Sequence, residues 1–191
     1  MESRINKKMN KGFTLVETLV SITLFGMISL ILINVFIVSI STQNRILQSQ
    51  ELIEQSSYAL EYMGTKLRMA IKDDTGACVG SAASYGEGIN SIIFLSHDPV
   101  DDTYLCRKFF LENNSIKERV STDETAANFG ASSTITSPSF VADNLNFSVA
   151  GDDTSYQPRV TIVIVMHKEE KGVNISQMIV QTTISKRELD I

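Results

Sequence analysis

The sequence predicts an α+β protein in which a long N-terminal α-helix packs on a C-terminal antiparallel β-sheet domain. Three observations support this fold class. Residues 18–44 carry no charged side chain, and apolar residues continue beyond them at helical spacing as far as Lys72. After residue 88 the pattern changes to short apolar runs separated by turn residues. The first two patterns are typical of a helix, and the third is typical of strands.

The uncharged segment is long enough to cross a membrane. It exceeds the roughly 20 apolar residues that a helix needs to span a bilayer. It is also longer than the apolar region of a secretory signal, which has about 7–15 residues. Four basic residues precede it, namely Arg4, Lys7, Lys8 and Lys11. Because basic residues favour the cytoplasmic side of a membrane, we expect residues 1–12 in the cytoplasm and everything after about Arg45 outside.

The chain as a whole is acidic, with a formal net charge of −5. Because residues 1–12 contribute +3, the remainder of the chain carries −8. Sequence-independent binding of nucleic acid depends on clustered basic residues that neutralise phosphate groups. We therefore expect no direct binding of nucleic acid by the domain that follows the helix.

Beyond residue 44 the apolar residues recur at spacings of three, four and seven, which indicates one face of an amphipathic helix. The predicted face contains Ile46, Ile53, Leu60, Met63, Leu67 and Ile71. No proline occurs before Pro99, so no proline interrupts this helix. We predict one helix from about Phe13 to Lys72, with a membrane-spanning part at 13–40 and an amphipathic continuation at 41–72.

Residues 73–191 are predicted to form a β-rich domain outside the cytoplasm. The candidate strands are "NSIIFLS", two strands in "TYLCRKFFLENNSIKERV" joined at Asn113-Asn114, "NLNFSVAG", "PRVTIVIVMHK" and "ISQMIVQTTISKRE". The strand that contains Val160 has apolar residues on both faces and is predicted to be covered on both. Ser121–Ser139 is polar and is predicted to be a long surface loop.

A short motif marks the start of the apolar segment. In "KGFTLVETLVSITLF", Phe13 follows Gly12, and Glu17 is the fifth residue counted from Phe13. This stretch resembles the N-terminus of type IV pilins and of the pseudopilins of type II secretion. The resemblance implies a pilin-like fold, a leader peptide over 1–12, cleavage after Gly12 and N-methylation of Phe13. It also implies that residues 13–40 pack in the core of a filament after they leave the membrane.

The resemblance implies a set of partners and a location. The partners are a prepilin peptidase that is also the methyltransferase, other pilin or pseudopilin subunits, an assembly platform protein of the inner membrane and the lipid bilayer. The precursor would be a single-pass protein of the cytoplasmic membrane. After assembly it would belong to a cell-surface or periplasmic filament.

Glu17 has a physical reason to occupy its position. Cleavage after Gly12 would create an α-amino group that is largely protonated at neutral pH, about one helical turn from the Glu17 carboxylate. When such helices bundle without lipid, Glu17 can pair with the amine of a neighbouring subunit, which makes it the predicted assembly residue. A buried pair adds little net stability, but a buried charge without its partner is costly. The alternative is an acid that is merely tolerated at the membrane edge.

Segments of the C-terminal half resemble one subgroup of this family. "PRVTIVIVMHKEE" and "ISQMIVQTTISKRE" resemble the closing strands of W-type minor pilins and J-type pseudopilins, and "SSYALEYMGTKLRMA" resembles the helix end of the same group. This resemblance implies a minor subunit that primes or caps a filament.

Two cysteines and two histidines are candidate site residues. A disulfide between Cys78 and Cys106 is favoured because the domain is expected outside the cytoplasm, and it would stabilise the fold by roughly 3–4 kcal/mol. A pair of buried free thiols is the alternative. His97 and His167 lie far apart in the sequence, so we expect no zinc site.

We expect neither a cofactor nor a bound metal. The triplet Asp-Asp-Thr begins at Asp73, Asp101 and Asp152, but none of its occurrences has the spacing of a calcium-binding loop. Paired aspartates of this kind are typical of turns and caps.

No catalytic pattern appears in the sequence, so we predict a structural filament subunit and not an enzyme. Two other hypotheses remain. The chain could be a membrane-anchored extracytoplasmic binding module that never assembles. It could also be an adhesin at the tip of a pilus, for which the polar Ser121–Ser139 segment is the only indication.

Overall fold

The computed structural model describes residues 12–98, 101–151, 157–168 and 177–186, and it confirms the predicted α+β architecture. The chain divides into two compact units, Met1–Leu47 and Gln48–Ile191. A long helix, α1, runs over Leu15–Arg68. The strands are β1 (Ala70–Ile71), β2 (Gly86–Gly88), β3 (Ser91–Asp98), β4 (Thr103–Glu112), β5 (Ser115–Val120), β6 (Ser133–Thr134), β7 (Phe140–Ala150), β8 (Arg159–Lys168) and β9 (Met178–Ser185).

The strands form two antiparallel sheets. In the first sheet the order is β1-β3-β4-β5-β6, and β2 also pairs with β3. In the second sheet the order is β7-β8-β9, with a bulge at Ala142/Asn144. The larger of two hydrophobic clusters in the described chain joins both sheets to the second part of α1. Its largest fully buried side chains are Phe94, Phe109, Leu52, Met63, Leu67, Ile92, Ile116, Leu145, Ile162, Ile164, Met166 and Val160.

The predicted strands agree with the structure, with two differences. Asn113 and Asn114 form a two-residue turn between β4 and β5, with φ of 51° and 58°, values that asparagine tolerates. In β8 only one face is fully buried, and it contains Val160, Ile162, Ile164 and Met166. The opposite face is half-buried. The segment predicted as one loop, Ser121–Ser139, contains a short 3-10 helix and β6.

The face that α1 buries differs from the predicted one. Met63 and Leu67 are buried as predicted, but Ile46 and Ile53 are each 52% exposed, and Ile71 lies in β1. The other buried residues of the helix are Leu52, Ser56, Ala59 and Gly64. The prediction selected large aliphatic residues, whereas small side chains allow the helix to lie close to the sheets.

The helix ends four residues before the predicted end at Lys72. Ala70 pairs with Ser96 of β3 instead of continuing the helix. The carbonyl of Leu67, near the end of the helix, accepts a hydrogen bond of 2.7 Å from the buried Tyr85 hydroxyl. The helix therefore ends where its backbone finds partners in the sheet and its loops.

A buried polar network connects α1 to three strands of the first sheet. The Tyr62 hydroxyl donates to Glu118 on β5 at 2.7 Å. Glu118 also accepts from the guanidinium of Arg107 on β4 at 2.9 Å, and Arg107 donates to the Ser96 hydroxyl on β3 at 2.8 Å. Glu118 is 4% exposed and Arg107 is 9% exposed. Burial, with the bond to Glu118, raises the pKa of Tyr62 to about 12.

The loop after β1 is held by a disulfide and by one buried carboxylate. Cys78 and Cys106 form the favoured disulfide, with their Cα atoms 5.5 Å apart. Asp73 accepts hydrogen bonds from the backbone N–H groups of Gly76, Cys78 and Val79 at 2.8–2.9 Å and from the Thr75 hydroxyl at 2.8 Å. Burial alone would raise the pKa of Asp73, but these four donors outweigh it and lower the pKa.

The Asp-Asp-Thr triplets have the predicted turn and cap roles where the structure describes them. Asp73 organises the loop, and Asp102 lies in the turn between β3 and β4 with a φ of 52°. The triplet that begins at Asp152 lies outside the described residues.

Glu118→Gln should destabilise the domain more than Tyr62→Phe. The glutamine variant breaks the 2.9 Å ion pair of the buried Arg107 and leaves it only Asp98, at 4.0 Å, as a counter-charge; breaking a buried pair costs about 3–5 kcal/mol. The phenylalanine variant removes one hydrogen bond, at about 1–2 kcal/mol. Urea unfolding of the full-length protein in detergent, followed by circular dichroism, measures both. Equal losses in the two variants would contradict a buried charge pair.

Asp73→Asn should lower the free energy of unfolding by about 2–4 kcal/mol, because the amide cannot accept all four hydrogen bonds. Because the folded-state pKa of Asp73 is lowered, its contribution is present above a pH of about 4 and is lost as the pH falls through the folded-state pKa. The variant should therefore lose less stability in acid than the wild type.

The control for this experiment is Asp74→Asn, since the Asp74 side chain is 78% exposed and lies beside Asp73. It should change the free energy of unfolding by less than about 0.5 kcal/mol. An equal loss in both variants would show that the Asp73 carboxylate does not brace the loop. Unfolding curves between pH 3 and 7 provide the comparison.

Candidate functional site

The residues of the predicted processing motif lie at the start of α1. Gly12 and Phe13 precede the helix and are exposed, and no described residue other than the chain neighbours of Gly12 lies within 4 Å of a Cβ placed on it. The bond between them is therefore outside regular secondary structure, where a protease can bind it. Of the predicted leader, only Gly12 is among the described residues.

Thr14 caps the N-terminus of the helix. Its hydroxyl accepts a hydrogen bond from the backbone N–H of Glu17 at 3.3 Å, and its carbonyl accepts from the N–H of Thr18 at 3.2 Å. Thr-x-x-Glu is the sequence of a capping box, in which the hydroxyl satisfies one unpaired N–H of the first turn. This role of Thr14 was not predicted, although the spacing of Thr14 and Glu17 indicates it.

Glu17 lies in the first turn of α1, where the helix dipole favours a negative charge. Its side chain is exposed, and within the described residues no basic group forms an ion pair with it. Its backbone N–H serves the Thr14 cap, so the carboxylate oxygens are free to accept from a cation. The arrangement can therefore bind a positively charged group that approaches the helix N-terminus.

The helix that follows Glu17 has an apolar surface on all sides. The large apolar side chains from Phe13 to Ile40 are between 44% and 77% exposed. Within the described residues, α1 is the one helix that is long and apolar enough to cross a membrane. Such a surface is unfavourable in water and favourable in lipid or among other apolar helices.

The polar side chains of this apolar region donate hydrogen bonds within the helix. Hydroxyl and amide groups bond to carbonyl oxygens three or four residues earlier, at 2.7–2.9 Å, from Thr18, Ser21, Thr23, Asn34, Ser41 and Thr42. Because lipid offers no hydrogen-bond partners, these internal bonds lower the cost of placing the residues in a bilayer.

The two histidines lie in separate parts of the structure, each beside one carboxylate. His97 contacts Asp102 at 2.9 Å and His167 contacts Asp143 at 2.7 Å. The described residues contain no group of three or more histidine, cysteine, aspartate or glutamate side chains that could hold a metal ion. The disulfide is remote in sequence from the processing motif and contributes to the stability of the β domain.

Comparison with known proteins supports the processing motif. Residues 7–33 match the family model described as the prokaryotic N-terminal methylation motif. The match includes Gly12, Phe13 and Glu17. No curated protein and no solved structure matches the chain.

The match and the fold support the same conclusion. The motif and the apolar helix indicate a membrane-anchored, single-pass precursor, and the motif is that of a structural subunit. The chain thus carries the prokaryotic N-terminal methylation motif at the start of a long helix that packs on antiparallel sheets, an arrangement similar to that of type IV pilins and pseudopilins.

Proposed function

We propose that the protein is a minor subunit of a type IV pilus or a type II secretion pseudopilus. In this proposal the precursor is inserted in the cytoplasmic membrane with residues 1–12 inside and the β domain outside. A prepilin peptidase cleaves it after Gly12 and methylates the new amino group of Phe13. The mature chain is then assembled by an inner-membrane platform protein together with other subunits.

One observation carries the proposal most directly. Glu17 is a carboxylate in the first turn of an exposed apolar helix, and the described residues supply no counter-charge. An acid in this position is costly once the helix leaves the membrane edge and packs away from water. A binding partner must therefore provide the missing positive charge.

The amine of a neighbouring mature subunit is the partner that fits. Each mature subunit has one α-amino group, at Phe13, and one carboxylate near it in the apolar helix, at Glu17. The two groups lie at different positions along the chain. Pairing between unlike positions is heterologous, and such a contact propagates along a fibre instead of closing a dimer. Glu17 would then determine the axial register of the assembled helices.

The minor-subunit assignment is supported by the C-terminal strands. The two segments that resemble W-type minor pilins and J-type pseudopilins form β8 and β9, which pair along their length from Arg159↔Ser185 to Met166↔Met178. Minor subunits of these types act at the start of a filament, so we assign this chain a priming or capping position.

Substitutions at Gly12 should test the cleavage site. Gly12→Ala should be processed slowly and Gly12→Trp should stay uncleaved, because the peptidase is expected to require a small residue before the cut. The space around Gly12 is open, so a tryptophan does not disturb the packing of the described chain. Mass spectrometry of the chain from membranes of the producing cell identifies its first residue.

The matched control is Gly26→Ala, where the space around the glycine is also open. It should be cleaved like the wild type and should begin at N-methylated Phe13. A wild-type chain that keeps its leader while the peptidase is active would contradict the proposed function. It would favour a membrane-anchored binding module instead.

Glu17→Ala should be inserted and cleaved normally but should enter filaments roughly tenfold less often or worse, because the neighbour's amine is left without a partner. Quantitative immunoblotting of sheared filaments against the membrane fraction measures this ratio. Glu54→Ala removes an exposed acid further along the same helix and should leave the ratio unchanged. Equal incorporation of both variants would refute the pairing of Glu17 with the amine.

A further inference from the structure

Asn34 is the one amide side chain in the apolar part of α1. The uncharged segment 18–44 is centred on Ile31, three residues before Asn34, which corresponds to about 4.5 Å along the helix axis. A bilayer core of about 30 Å centred there leaves Asn34 roughly 10 Å from the nearer interface. The asparagine side chain is too short to reach headgroups or water from this depth.

The helix satisfies only part of the amide. One N–H of Asn34 donates to the carbonyl of Leu30 at 2.9 Å. The second N–H and the side-chain carbonyl have no partner in the described part of the chain. A donor and an acceptor left unpaired in hydrocarbon are both costly. The hydroxyls of Thr18, Ser21, Thr23, Ser41 and Thr42 differ, because each has a single hydrogen and that hydrogen already bonds to a carbonyl of the helix.

Asn34 shares one face of α1 with two other polar residues. At about 100° per residue, Thr23 and Ser41 lie within about 20° of Asn34 around the helix axis. Ser39 and Thr42 lie about 140° and 80° from it. Small polar side chains on one face allow two membrane helices to approach closely and to form hydrogen bonds across their interface.

We propose that Asn34 joins two copies of this chain in the membrane through a reciprocal pair of amide hydrogen bonds. The unused groups of one Asn34 are one donor and one acceptor, and the same pair of groups on a second Asn34 satisfies both. The two side chains must lie at the same depth. The inference rests on the proposed function in that the helix spans a bilayer.

Depth and orientation select a parallel pair. The basic leader gives every copy the same orientation, so two Asn34 side chains lie at equal depth in a parallel, in-register pair. In an antiparallel pair they would lie about 9 Å apart along the membrane normal, since each is about 4.5 Å from the centre. The proposed contact is therefore symmetric and limited to two copies, in contrast to the propagating contact of Glu17.

Cysteine cross-linking of the full-length precursor in phosphatidylcholine vesicles tests the proposal. Both native cysteines are in the disulfide, so Ser41→Cys introduces the only thiol. This thiol lies on the Asn34 face and should give covalent dimers on mild oxidation. Ser39→Cys, on the other side of the helix, is the matched control and should give few.

Adding Asn34→Leu to Ser41→Cys should reduce the covalent dimer. Sedimentation equilibrium of chains without added cysteines, in density-matched micelles, should show a dimer dissociation constant about 3- to 30-fold higher for Asn34→Leu than for wild type. Asn44→Leu makes the same change at the end of the uncharged segment and should leave the dissociation constant unchanged.

Three outcomes would overturn the proposal: a monomeric wild-type chain, equal cross-linking at positions 39 and 41, or an unchanged dimer in Asn34→Leu. None of these outcomes concerns cleavage of the precursor. The N-terminal mass of the same variants shows whether cleavage occurs, and it therefore distinguishes a failure of the Asn34 contact from a failure of the proposed function. Loss of the dimer with normal cleavage supports the proposal.

Discussion

The apolar surface of the first part of α1 is the constraint on which the rest of the molecule depends. Its large side chains from Phe13 to Ile40 remain between 44% and 77% exposed, which water does not tolerate over so large an area. A helix satisfies its own backbone hydrogen bonds and can enter lipid without another element. The proposed roles of the basic residues before it, of Glu17 and of Asn34 all depend on the need of this segment for a non-aqueous environment.

The β domain has a separate source of stability. Its core is formed by both sheets and by the second part of α1, and among its described buried side-chain polar atoms only Nε of Arg119 has no hydrogen-bond partner. The network of Tyr62, Glu118 and Arg107 connects the helix to three strands through hydrogen bonds and one buried ion pair. On the loop after β1, the Asp73 carboxylate and the Cys78–Cys106 disulfide act on the same short segment.

Glu17 combines two roles without conflict. Its backbone N–H completes the cap with Thr14, and no basic group of the described chain pairs with its carboxylate. The cap contributes on the order of 1 kcal/mol to the helix start and is present in any environment. The ion pair becomes necessary only when the helix end is removed from water. Glu17 thus contributes both to the start of the helix and to the proposed assembly contact.

The proposed contacts of Glu17 and Asn34 differ in symmetry because their chemistry differs. A carboxylate cannot satisfy another carboxylate, so Glu17 needs an unlike group, and the contact propagates along a fibre. An amide satisfies another amide, so Asn34 can close a pair. The first contact suits a filament, and the second suits a stage in the membrane before assembly.

The sequence alone determined the architecture, the membrane helix and the processing motif, because these depend on local patterns: an uncharged run, helical and strand periodicity, and the spacing of Gly12, Phe13 and Glu17. The tertiary structure decided which face of α1 is buried, since Leu52, Ser56 and Ala59 face the sheets, whereas Ile46 and Ile53 of the predicted face are exposed. It also decided that the helix ends at Arg68, because Ala70 pairs with a strand that is distant in sequence. Close approach and strand pairing depend on the shape of the facing surface, which no local pattern contains.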